Sequence, residues 1–329
     1  MKEILKRYLP AFVILQILRG FFSDFARYIK FTSSTKLLSS RSRYNIAAKI
    51  IALYHAIEKG ICMPEFRYGF GNAVFKDLLD QLDFHIARYG YDYVYIGDAL
   101  SVIHEYLLVH ADCLELLDSK NVSRAHALQE KLKDSSSVSF HMQDTLEAAQ
   151  CFKNVDEFRD FALSRRSYRY FDGTSICTTK LIEAVSIARY APSSCNRQSA
   201  HVHIYTDKKL ISDLLDLQGG SRGYGHLGDI LLLVTSNIQM TIHVNERHMP
   251  YVDGGIFYMS LLFALHSSRI ACCPLNCYFP PVIEKKVRLI SGIKESEAIV
   301  AMIICGNISG TIKAVKSPRL PVDYFYTYH

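Results

Sequence analysis

No Cys-x-x-Cys pair occurs among the nine cysteines, at positions 62, 113, 151, 177, 195, 272, 273, 277 and 305. Structural zinc and iron–sulfur frameworks therefore lack their usual ligand spacing. His201 and His203 would share one face of a strand, but two ligands make no site, so no metal is expected. Scattered thiols in odd number, with apolar neighbours, point to reduced cysteines and a cytoplasmic protein. A basic stripe is also missing. Net charge is +6 and charged residues make up 21% of the chain. A few anion-binding arginines and surface lysines account for that excess, so no nucleic-acid partner is expected. There is no internal repeat, no low-complexity tract, no catalytic triad and no carboxylate pair.

Long apolar runs are absent too. Pro10 to Phe22 is mostly apolar, but Gln16 and Arg19 interrupt it, so it is too short and broken to span a bilayer. No small-residue cleavage site follows, which argues against a signal peptide. Gln16, Arg19, Ser23, Arg27 and Lys30 recur at steps of three and four and share one helix face. Phe12, Ile14, Leu15, Leu18, Phe22 and Phe25 lie largely opposite. Two roles stay open for residues 8–30. The helix packs on protein, its own or a dimer mate, or it lies on a membrane surface with help from Lys2, Lys6, Arg7 and Arg19.

What is present suits a large folded chain. At 329 residues and 49% hydrophobic it can bury a substantial core in two domains. Residues 32–42 are polar and read as a loop. From Tyr44 to about Gln150 the pattern is helical, with Ile46, Ile50, Leu53, Tyr54 and Ile57 in register and Gly60 as a stop. Met63–Gly71 reads as a turn segment, two further helices follow around Leu78–Ile86 and Ala99–Leu117, and Ser135–Ser137 reads as a connector. After about Val155 the character changes. Short helices are expected over Asp156–Leu163 and Thr179–Ala191, the latter capped by Thr178 or Thr179. Strands are expected at His201–Tyr205, Ile230–Thr235 and Ala298–Cys305. Gly255–Ser268 is an apolar helix nearly all round, so it must be buried. The expected units are 1–43, 44–155 and 156–329.

Chemistry concentrates in two segments. Arg165-Arg166-Ser167-Tyr168-Arg169 puts three guanidinium groups and a hydroxyl into five residues, suited to bidentate phosphate binding. Pro192-Ser193-Ser194-Cys195-Asn196-Arg197-Gln198 follows a helix and presents hydroxyls and amides, suited to the polar edge of a flavin ring. Alone, the first reads as solvated surface and the second as a helix-ending turn. Together, in this order, they resemble the nitroreductase family of FMN enzymes.

Three further segments fit that resemblance, which spans about 157–323. Asp253-Gly254-Gly255 opens the apolar helix, as the central dimer-interface helix does in that family. Cys272-Cys273-Pro274-Leu275-Asn276 stands where the family has a loop whose backbone faces the flavin. Lys316-Ser317-Pro318-Arg319 resembles its second phosphate cluster. The resemblance implies an α+β fold, a central mixed, mainly antiparallel sheet flanked by helices, preceded here by an α-helical N-terminal region. It also implies an FMN-dependent homodimer that uses NAD(P)H as a transient electron donor. Such an enzyme reduces a small organic substrate, or oxidises one with the flavin, by ping-pong hydride transfer. A flavin-binding or inactive scaffold is the alternative.

Carried over by position, Arg165, Arg166 and Ser167 would hold phosphate and ribityl chain, and Arg169 the ring's polar edge or the ribityl chain. Pro192, Ser193, Ser194, Asn196 and Gln198 would come from the partner subunit. Pro274, Leu275 and Asn276 would line the reactive side, and Lys316 and Arg319 would complete the phosphate clamp. The segment from His55 to Gly71 resembles the N-terminal extension of nitroreductase-like proteins encoded with polysaccharide-synthesis genes, which implies a role in polysaccharide biosynthesis. His55, Glu58 and Arg67 are then substrate candidates. A salt-bridged helix end with a glycine cap is the competing reading.

Overall fold

The structure is a computed structural model that describes residues 2–36, 40–63, 66–91, 93–130, 155–315, 317 and 319–329. The expected connector at Ser135–Ser137 and the candidate phosphate ligand Lys316 lie outside the described residues.

The N-terminal region is helical: α1 (Lys2–Phe31), α2 (Arg43–Ile61), α3 (Asn72–Tyr89), α4 (Tyr93–Val109) and α5 (Ser119–Glu130). Its core is the in-register set read from the sequence, with Ile46, Ile50 and Ile57 packed against Phe75, Leu78, Leu82, Ile103 and Tyr106. A capping box starts α2. The Ser42 hydroxyl accepts from the Asn45 N–H, and the Asn45 side chain accepts from the Ser42 N–H. Buried Asn45 also donates to the carbonyls of Phe31 (3.1 Å) and Gln239 (2.7 Å). One side chain thereby ties α1, α2 and the later part of the chain together. Met240 enters the same core, and Ile242 packs against it.

The second region is an α+β layer structure: α6 (Val155–Ser164), α7 (Thr178–Ala188), β1 (Ala200–Tyr205), α8 (Lys208–Gln218), β2 (Ile230–Asn237), α9 (Met249–Ser267), β3 (Ala271–Asn276), α10 (Pro281–Ser291) and β4 (Glu297–Gly306). The sheet order is β1-β2-β4-β3, and every pair is antiparallel. Alternate residues of β2 and β4 serve opposite faces. Leu231, Leu233, Met302 and Ile304 pack with α8 and α10, whereas Leu232, Val234, Ile303 and Cys305 pack with α7 and α9. Burial on both faces explains why these strands read as continuous apolar runs.

Several elements differ from the sequence reading. Cys272–Asn276 is not a loop but the edge strand β3, where Pro274 is tolerated because one row of backbone groups has no strand neighbour. Gly60 does not stop α2, which runs on to Ile61. The N-cap of α7 is Cys177 and not a threonine. α9 starts at Met249, ahead of Gly255. α5 falls within the stretch expected to be helical, whereas α8 and α10 have no counterpart in the sequence reading. α9 buries Leu261, Leu262 and Leu265, but Val252, Ile256 and Met259 stay exposed in the single chain.

The orientation of α1 inverts the usual amphipathic arrangement. Its polar side faces the protein. Arg27 pairs with Glu284 at 2.7 Å, Lys30 pairs with Glu295, and the Tyr28 hydroxyl donates to the His243 carbonyl. Phe21, Phe22 and Phe25, 61–67% exposed, point outward. No helix among the described residues is long and apolar enough to cross a membrane.

Candidate functional site

The first motif follows α6 and runs beside β3, where the Tyr168 N–H donates to the Cys272 carbonyl at 3.0 Å. α6 rests on the C-terminal end of α9. Phe161 packs on Phe263 and His266, and the Ser164 hydroxyl lies 2.7 Å from His266 Nε2. The arginines therefore gather at that end. Burial, then Arg165 and Arg166, hold the His266 imidazole below its ordinary range. The three arginines differ in what they have left to offer. Arg166 donates to the carbonyls of Leu163 and Arg165. Arg169 lies 6.0 Å from the Tyr224 ring centre. Arg165 Nη1 is buried and has no hydrogen-bond partner. A buried guanidinium N–H without an acceptor is costly, so this atom calls for an anion.

The second motif is built differently. Cys195, Asn196 and Gln198 all have positive φ, at 49°, 52° and 50°. Left-handed backbone at non-glycine residues costs about 1–3 kcal/mol each and persists only where the surroundings enforce it. Arg197 is the enforcer. It is 2% exposed, and its five N–H groups all find acceptors: the Ser194 carbonyl and hydroxyl, the Met240 carbonyl, and both Glu246 oxygens, at 2.7–2.9 Å. The Ser194 N–H reaches both Asp253 oxygens at 3.2 Å, and the Ser193 hydroxyl accepts from the Gln198 N–H at 3.0 Å. Sequence reading passed over Arg197, because the motif alone does not show which of its side chains turns inward. Burial raises the Asp253 carboxyl above its usual range.

The two motifs do not meet in one chain. Asp253, under Ser194, and His266, under the arginines, are thirteen residues apart on α9. At about 1.5 Å per residue they stand about 20 Å from each other. The exposed face of α9 lies between them.

The remaining candidates are placed as follows. On β3, Pro274 is half-buried, Leu275 buries its side chain in the core, and Asn276 is exposed with its carbonyl accepting from Gln218. Arg319 is exposed and donates to the Ser317 carbonyl. Burial pushes the Cys272 thiol up to about 12 and Tyr224, in contact with Cys273, up to about 12, so neither is poised to ionise. Among the described residues no cluster could hold a metal ion. The rings of His201 and His203 sit 4.7 Å apart on one face of β1, as expected.

His55 Nδ1 pairs with Glu58 at 2.8 Å, but no hydrogen bond or ion pair joins Arg67 to either. The Arg67 segment instead closes the helical core. Gly69 donates its N–H to His110 Nε2 (2.9 Å), so Nδ1 carries the proton that reaches the Tyr106 carbonyl (2.8 Å). Gly223-Tyr224-Gly225-His226-Leu227-Gly228 has the spacing of a dinucleotide-binding turn, although no such motif is expected from the sequence. It joins α8 to β2, helix to strand, the reverse of the order such a turn needs.

Residues 162–221 match the nitroreductase family. That segment is thus nitroreductase-like, and a helical region precedes it. Among curated proteins none matches. Solved structures align with about half of it. B. megaterium NfrA2 is 18% identical, covering 52% of this chain and 73% of its own, at a TM-score of 0.45. A Streptococcus pneumoniae nitroreductase family protein is 16% identical over 52% of this chain and 100% of its own, at 0.44. An FMN-dependent nitroreductase from Clostridium difficile is 15% identical over 51% and 98%, also at 0.44.

Proposed function

We propose that this protein is an FMN-dependent oxidoreductase that works as a cytoplasmic homodimer. One observation carries the reading: the arginine motif and the strained serine loop sit at opposite ends of α9, with an open apolar face between them. An antiparallel second copy of α9 on that face would bring the loop of one chain to the arginines of the other. Ile182 and Ile187 of α7, about half exposed, would extend the buried surface. Obligate interfaces of this kind bury on the order of 2,000–5,000 Å².

The residues fit the cofactor. Arg165, with its unpartnered Nη1, is the phosphate ligand, supported by Arg166, Ser167 and Arg319. Ser193 and Asn196 of the strained loop and the outer backbone edge of β3 at Pro274–Asn276 flank the ring. Bound FMN would supply hydride acceptance from NAD(P)H and hydride donation to a small organic acceptor. The protein orients the cofactor and excludes water; the two substrates use one face in turn, by ping-pong exchange.

The test is Arg165→Ala. Loss of a charge-assisted bond of about 1.5–3 kcal/mol weakens FMN binding by roughly 10- to 150-fold. The flavin-free protein should keep or raise its urea midpoint, since an unsatisfied buried donor is removed. Unchanged FMN affinity would sink the assignment. In the wild-type protein, bound yellow flavin that NAD(P)H bleaches separates an enzyme from a scaffold.

A further inference from the structure

A cleft of about 440 Å³ opens between the N-terminal helices and the sheet, well away from the arginine motif. That volume lies within the roughly 300–1,000 Å³ of small-molecule sites. One wall comes from α2 and α4: Tyr44, Tyr54, Tyr95 and Asp98. The other comes from β1 and the start of β4, with His201 and Glu297, and from Lys294. The floor includes Gln198.

The two walls are not equally satisfied. Glu297 is already engaged, by His203 at 2.6 Å and by the Thr235 hydroxyl at 2.6 Å. Arg197, at the back, is saturated. By contrast, Tyr54 is 3% exposed overall, and it lines the cleft with no hydrogen-bond partner for its hydroxyl among the described residues; that oxygen is not among the buried atoms and so opens to the cleft. Asp98, on the exposed rim of the cleft, has no ion pair or hydrogen bond among the described residues, and the charge that acts on it is Glu58, of the same sign. Both acidic groups feel that negative potential: burial first, then Glu58, raises the Asp98 carboxyl, and burial, Asp98 and Glu58 raise the Tyr54 phenol.

An exposed carboxylate with no cation paired to it, beside a phenol hydroxyl that opens to the cleft and two more tyrosine rings, attracts a cation; Arg43 already lies 5.4 Å from the Tyr95 ring centre. Aromatic faces and a carboxylate together are the chemistry that recognises ammonium groups. A phosphate or carboxylate end would be repelled from this wall. It could sit only at the Lys294 side, where the lysine is exposed.

We propose that this cleft binds a small organic molecule through an ammonium group seated on Asp98 among Tyr44, Tyr54 and Tyr95. The proposal does not rest on the flavin assignment, since no flavin candidate other than Gln198 lines the cleft.

The experiment uses the full chain and four six-carbon probes of matched length. 6-Aminohexanoate and 6-amino-1-hexanol carry the ammonium; 6-hydroxyhexanoate and 1,6-hexanediol do not. Titration calorimetry and saturation-transfer NMR report binding, and flavin absorbance is recorded in parallel. Both amines should bind, and Asp98→Asn should weaken them by about tenfold or more, as loss of a charge-assisted bond requires. Tyr54→Phe should weaken them less. Bound-flavin absorbance should not change in either variant. The proposal is overturned if neither amine binds, if the diol or hydroxy acid binds as well as the amines, or if Asp98→Asn binds them like wild type. A preference for 6-aminohexanoate over 6-amino-1-hexanol would support it and place a carboxylate at Lys294.

Discussion

Replacing Arg197 with methionine tests whether the serine loop is held by a buried ion pair. The side chain is 2% exposed and its five donors are all used, two of them on Glu246. Methionine fills a similar volume but donates nothing. The Ser194 and Met240 carbonyls lose partners, and the Glu246 carboxylate is left with the N–H groups of Ile242 and His243. Breaking one side of a buried pair costs about 3–5 kcal/mol, because the remaining charge is stranded. That is a large share of the roughly 5–15 kcal/mol by which a folded domain is stable. The loss should appear as a lower urea midpoint with little change in slope. Glu246→Gln removes the stranded charge, so Arg197→Met should cost less in that background. FMN binding should weaken as well, since Cys195, Asn196 and Gln198 would relax from left-handed backbone. A loss below about 1 kcal/mol, or strictly additive single and double variants, would refute the reasoning.

Other outcomes follow from the same geometry. A Cβ on Gly254 would lie 2.5 Å from Val300 Cγ2, so Gly254→Ala should lower thermal stability by about 1–3 kcal/mol. Gly255 faces open space, so Gly255→Ala should stabilise an isolated monomer by up to about 1 kcal/mol and weaken dimerisation seen by light scattering if α9 is the interface. For Glu246, burial would raise the carboxyl, but hydrogen bonds from Arg197 and Ile242 outweigh it and hold it below the usual range; Glu297, bonded by His203 and Thr235, behaves alike. Their folded values lie below the unfolded one, so their stabilisation is present above about pH 4.3 and is lost as pH falls through the folded values. Urea midpoints should drop across that acid range, and Glu246→Gln should flatten the drop. Deleting residues 2–26, which removes the outward phenylalanines of α1, should reduce solubility or dimer stability without altering co-sedimentation with anionic liposomes; co-sedimentation that disappears on deletion would reassign those phenylalanines to a lipid surface.

Local order carried much of the fold into the sequence. The 3.6-residue recurrence of Ile46, Ile50 and Ile57 marked α2, and the apolar runs at 230–235 and 298–305 marked the two central strands, because burial on one or two faces leaves a periodic trace. The arginine motif was legible because three guanidinium groups in five residues have few local uses. β3 left no such trace. Its apolar residues are few and Pro274 reads as a turn, so only pairing with β4 decides that it is a strand. The inward turn of Arg197 was likewise invisible, since Met240 and Glu246 are more than forty residues away. Asp98 and Tyr54 face His201 and Glu297 only because α2 and α4 pack beside the sheet edge, whereas Arg67, chosen for its neighbours in sequence, faces elsewhere. What a residue type can do is written in the chain; which partner it meets is set by contacts between segments far apart in it, and no periodicity reports those.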